Sequence, residues 1–194
     1  MTALHYEQHQ PPPFLAHLVQ CLWSLEGDSR SATPEPAVSD GSVEIILNGG
    51  STMIERRPDA LAGWAQPACA IVGPTTQPIF LSPGGPIRIF GVRLWPWAAR
   101  AVLGVPASEL RDRTVAIDDV GQFAVGILDR VEWGAPSRMR VPTIAAWLAG
   151  IRDRRPHHAV HATAARIATG ALQLSSLATA TGMCPRPACR RSIQ

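Results

Sequence analysis

Few residues in this chain have the type and spacing to do chemistry. His158 and His161 lie one helical turn apart and, with His157, Cys184 and Cys189, make a zinc-ligand set conceivable. A basic helix start accounts for the same histidines, so no metal ligand is assigned. No histidine occurs between His17 and His157, which argues against a conventional multi-histidine site on barrel strands. Ser175-Ser176 have no acid–base partners beside them and read as helix caps rather than nucleophiles. Asn48-Gly49-Gly50 and Pro83-Gly84-Gly85-Pro86 read as turns, because neither is a glycine-rich phosphate loop following a strand. The expectation is therefore no catalytic residue, no cofactor and no enzyme. Trp23, Trp64, Trp95, Trp97, Trp133 and Trp147 are candidates to line an apolar ligand pocket, with core and interface packing as the plainer reading. Cys21, Cys69, Cys184 and Cys189 follow no disulfide framework and are expected as free thiols.

Charge divides the chain. All 18 basic residues are arginine, and the last of the 15 acids is Asp153. Residues 1–153 carry a net charge of −3, whereas residues 154–194 hold six arginines, no acid and a net charge of +6. A basic, acid-free segment on a mildly acidic body fits a polyanionic partner, DNA above all, because each neutralised phosphate releases counterions. A hydrophobic fraction of 46% in 194 residues fits a packed protein of one domain and an annex. No apolar run is long enough for a membrane span, and the first residues lack the order of a signal peptide. A cytoplasmic protein without membrane attachment is expected.

Residues 1–150 must position whatever site exists. Their first two thirds alternate short apolar runs with Gly, Pro, Asn and Asp, as short strands and turns do. Strands are expected from Phe14–Trp23 to a stop at Glu26-Gly27-Asp28, over Ala70–Val72, over Ile79–Leu81 and over Ile87–Leu94, with Ser29–Pro36 as a loop. The strongest signal is Asp40–Asn48, whose alternation places Val43, Ile45 and Leu47 on a buried face and Glu44 outward. Turns every eight to twelve residues favour a barrel or sandwich. Helical spacing begins after Trp95-Pro96-Trp97. Ala98–Leu103 is short and ends at Gly104, Ile117 to Val131 carries one apolar stripe over about four turns, and Ile144, Ala145, Leu148 and Ile151 repeat the pattern. The fold class is α+β: a β-rich, barrel or sandwich-like domain followed by helices. Residues 151–156, polar and holding Pro156, read as a linker.

Beyond the linker, Leu177-Ala178, then Gly182, then Cys184-Pro185 have the spacing of a helix-turn-helix, with a small residue for close approach and a glycine for the turn. This segment resembles the first helix-turn-helix of the AraC family of transcriptional regulators. Asp40–Asn48, Val72–Thr76, Phe90–Pro96 with Ala98-Ala99, and Leu103–Leu110 are similar to the sensor domain of one AraC subgroup. The resemblance implies residues 1–150 as a sensor and dimerisation domain and residues 157–194 as a DNA-binding segment. Pro185, Arg186, Arg190 and Arg191 would then lie on or beside the recognition helix. AraC-type DNA-binding domains carry two such units, and the 38 residues after Pro156 hold the first alone. Pro187, Ala188 and Ser192 also depart from the family's pattern. A truncated regulator is expected, binding DNA weakly or non-specifically, sensing an unidentified small-molecule effector and pairing as a homodimer through the N-terminal domain. The competing class is a small-molecule-binding or protein-interaction module without DNA activity.

Overall fold

A computed structural model describes residues 4–28, 34–37, 41–120 and 126–151, and the chain divides into two units after Arg154. Pro185, Arg186, Arg190, Arg191, the histidines and cysteines weighed as a zinc set and nearly all of the linker lie outside the described residues, as does Asp40.

Among the described residues, ten strands form two antiparallel sheets. The larger has the order β1 (His5–His9), β2 (Val19–Asp28), β9 (Pro86–Leu94), β4 (Val43–Asn48), β7 (Cys69–Val72), β10 (Thr114–Ala116). The smaller has the order β3 (Glu35–Ala37), β8 (Ile79–Pro83), β5 (Met53–Arg56), β6 (Trp64–Ala65). Among the described residues the α-helices are α1 (Ala99–Leu103), between β9 and β10, and α2 (Ile127–Arg130) and α3 (Arg140–Gly150), after β10. The architecture is α+β and β-rich, as expected.

The expected strand at the centre of the larger sheet is present, and its alternation explains the layering. Val43, Ile45 and Leu47 of β4 are fully buried with Phe90, Val92 and Leu94 of β9, under Val102, Leu103, Ile144, Trp147 and Leu148 of the helices. This is the main core. Burying one such side chain contributes about 1.5–3 kcal/mol, so this face dominates the stability of the domain. The opposite face carries Ile46, Ala70, Ile87 and Ile89, which gather with Met53 of β5 into a second, smaller cluster. Both faces of the larger sheet are therefore covered, one by helices and the other by the smaller sheet.

Arg140 ties α3 to the sheet. Its guanidinium is buried, pairs with Glu26 of β2, donates to the carbonyls of Trp133 at 2.8 Å and Ala135 at 2.9 Å, and lies 5.2 Å from the Trp133 ring. A buried cation without these partners would be strongly destabilising.

Three local expectations are corrected. Glu35 and Pro36, read as the end of the Ser29–Pro36 loop, belong with Ala37 to an edge strand paired with Ile79–Leu81. The stretch from Ile117 to Val131 is not one helix: Ile117–Asp119 is a 3-10 turn, Gly126 is left-handed at φ 90°, and Val131 is already extended. A glycine free to take positive φ breaks the helix where apolar spacing alone would continue it. Ile117, Ile127 and Val131 still reach the core, from separate turns. Finally, Glu44 does not face open solvent, because the smaller sheet stands over it.

Candidate functional site

Between the two sheets lies a cavity of about 340 Å³. Its walls follow from strand parity. From the larger sheet, Trp23 and Leu25 of β2, Ile87, Ile89 and Arg93 of β9, and Glu44 and Ile46 of β4 point into it; from the smaller come Met53, Ile79 and Leu81. These are the residues that a two-residue period places opposite the main core.

Trp23 sets the shape of the cavity. In register, Trp23 pairs with Gly91 on β9, and a Cβ at position 91 would fall 2.0 Å from Cε2 and 2.4 Å from Nε1 of the indole. The indole thus lies against bare backbone, and only glycine leaves room for it. Tyr6 of β1 packs beside it, with ring centroids 6.0 Å apart and planes at 30°. Partial burial is the main cause that raises the Tyr6 phenol above its ordinary value.

One polar pair faces the apolar wall. Arg93 Nε donates to Glu44 Oε1 at 2.6 Å across the β4–β9 pairing, and both side chains are part-buried. A charge-assisted bond of this length fixes both head groups in one orientation. On the smaller sheet, Gln66 lines the cavity and donates through Nε2 to the buried Glu55 at 2.7 Å. Glu55 accepts in turn from Arg57 at 3.2 Å, and Arg57 lies 4.0 Å from Asp112. Asp112 holds Thr76 through its backbone N–H at 2.6 Å and its hydroxyl at 3.0 Å. The Thr76 N–H is the chief cause that lowers the Asp112 carboxyl below its ordinary value. This chain of bonds braces the cavity's outer wall.

The structure sorts the sequence candidates. Of the six tryptophans, Trp23 alone lines the cavity. Trp95 and Trp97 stack at 4.9 Å and donate to the carbonyls of Ala16 and His17, Trp133 packs on Arg140, Trp147 is in the core, and Trp64 sits beside Arg57. Asn48-Gly49-Gly50 is the expected turn, held by Asn48 bonds to Ser51 and Gly50 at 2.9 Å. Cys21 and Cys69 are thiols. Among the described residues no three His, Cys, Asp or Glu side chains gather as a metal site, and no helix is long and apolar enough to cross a membrane. Sequence reading passed over Glu44, Arg93 and Gly91 as site residues. The signal available for them was a glycine and an opposed charge pair inside otherwise apolar strands.

No curated protein and no solved structure matches this chain. A family model described as a domain of unknown function (DUF6597) matches residues 7–116, a span that includes both sheets apart from His5 and Tyr6 of β1, and every cavity residue except Leu4 and Tyr6. That span is more than half of the 194 residues, and the chain belongs to the DUF6597 family.

Proposed function

We propose that the described domain is a small-molecule sensor within a cytoplasmic transcriptional regulator of AraC type. The observation that carries the sensor half is the inter-sheet cavity: about 340 Å³, apolar on most of its wall, with one fixed polar pair. A concave apolar site with few convergent polar groups is how small-molecule sites are built. The role is binding rather than catalysis, because the bond between Arg93 and Glu44 holds both head groups in one orientation, as a group that anchors a ligand requires. The regulator half is supported by the resemblance of residues 174–191 to an AraC-type helix-turn-helix and by the +6 charge of residues 154–194. Pro185, Arg186, Arg190 and Arg191 are the proposed DNA-contacting residues, binding weakly and with little sequence preference. A homodimer would suit the same role.

The sensor reading is tested by screening the full chain with uncharged and charged aromatic and aliphatic compounds, following its melting temperature. Compounds that stabilise the wild type should lose their effect in Gly91→Leu, where the side chain drives Trp23 into the cavity. Stabilisation that survives the substitution would refute the assignment of the site.

A further inference from the structure

The cavity's charge arrangement specifies the kind of molecule it takes. Resting on the reading of the cavity as a ligand site, we infer that its ligand is an uncharged, ring-bearing molecule that lies on Trp23 and directs one hydrogen-bonding head group toward Glu44 and Arg93.

The ring follows from the floor. One side of the Trp23 indole is taken by the Gly91 backbone, and the residue nonetheless lines the cavity. The surface it offers is therefore its other aromatic face, extended by Tyr6 at 6.0 Å. Offset stacking on such a face favours flat rings over aliphatic chains of equal area. Ile46, Met53, Ile87 and Ile89 surround this floor with apolar surface.

The absence of charge on the ligand follows from the pair. Arg93 and Glu44 are charged side chains that line the larger sheet's wall of the cavity, and Arg93 Nε donates to Glu44 Oε1 at 2.6 Å. An anion entering this space would compete with Glu44 for Arg93, and a cation would compete with Arg93 for Glu44. Either would also lose its own hydration among isoleucines and methionine. Glu35, exposed on β3 at the rim, adds to the exclusion of anions. A neutral hydroxyl or amide avoids both penalties: it can donate to Glu44 while accepting from Arg93, leaving their mutual bond intact.

Three probes that share one ring system separate the possibilities. The full chain is titrated calorimetrically at neutral pH with 2-naphthol, 2-naphthoate and 2-naphthylmethylammonium. Binding of 2-naphthol at least about tenfold tighter than either ion is the expected result. Glu44→Gln removes a negative neighbour of Arg93, so it should raise the affinity for naphthoate relative to naphthol several-fold. Gly91→Leu should abolish binding of all three while circular dichroism shows a folded domain. Either ion binding the wild type as tightly as naphthol would overturn the uncharged-ligand inference and leave the cavity assignment standing. Silence from all three, or binding that persists in Gly91→Leu, would overturn the cavity assignment itself.

Discussion

Two glycine-to-alanine substitutions, chemically identical, should differ in cost because of what each new methyl group meets. At Gly73 a Cβ would lie 1.8 Å from the Leu110 carbonyl oxygen and 2.5 Å from its carbonyl carbon. Those are backbone atoms in a turn whose neighbour Arg113 accepts a 3.0 Å bond from the Gly73 N–H. Neither side can yield without moving the end of β7, so overpacking should cost about 2–3 kcal/mol. At about 2–4 °C per kcal/mol for a unit of this size, Gly73→Ala should lower the melting temperature by roughly 5–10 °C. At Gly91 the clash is as close, 2.0 Å, but it is with the ring of Trp23, which borders an open cavity. The ring can swing away, and alanine recovers about 0.5–1 kcal/mol of the entropy that glycine loses in a strand. Gly91→Ala should therefore stay within about 1 kcal/mol of wild type, while Trp23 moves and the cavity narrows. Thermal melts by far-ultraviolet circular dichroism compare the two, and tryptophan emission reports the displaced indole. Equal destabilisation of both variants would show that Trp23 is pinned by packing, and the reasoning that gives the cavity usable space would fail.

Other consequences concern the groups that brace the fold. Arg140→Met removes the pairing with Glu26 and two carbonyl bonds from a buried position, and should cost about 2–4 kcal/mol in urea unfolding, with Arg140→Lys only a partial rescue. The Asp112 carboxyl is held below its ordinary value chiefly by the Thr76 N–H, so its contribution is present above the usual carboxylate range and fades as pH falls through it. Asp112→Asn should consequently be less stable than wild type near neutral pH, with the gap closing on acidification; a constant gap would contradict this. Burial pushes the Cys69 thiol up to about 11, so iodoacetamide should label it far more slowly than an exposed cysteine at mildly alkaline pH, as peptide mass spectrometry can measure.

The parts of the fold legible in the sequence are those with enough length for a period to show. β4 declares itself through Val43, Ile45 and Leu47, and β9 through five hydrophobic residues in nine. The smaller sheet is nearly invisible because β3 and β6 have three and two residues, too few for alternation, and β3 carries a proline. β1, His-Tyr-Glu-Gln-His, is polar throughout and is a strand because β2 offers it an edge. The site was hidden for a related reason. Alternation predicts one wet and one dry face with Glu44 on the wet one, but that face is covered by a sheet that the sequence barely announces. Ile46, buried on the same side as Glu44, was the residue that did not fit a simple alternation. At Ile117 to Val131 the periodicity was real, yet it recorded which residues reach the core rather than one continuous helix.

The central claim is that the space between the sheets holds the ligand. Methyl-resolved nuclear magnetic resonance of the full chain, titrated with 2-naphthol, addresses it residue by residue. The two faces of the larger sheet provide an internal control, since Ile46, Ile87 and Ile89 line the cavity and Val43, Ile45 and Leu47 lie in the helix-covered core. The account predicts saturable shifts of Ile46, Met53, Ile87 and Ile89 methyl signals, with those of Val43, Ile45 and Leu47 nearly unmoved. Shifts confined to the exposed Ile54 and Leu61, or spread equally over both faces, would contradict it.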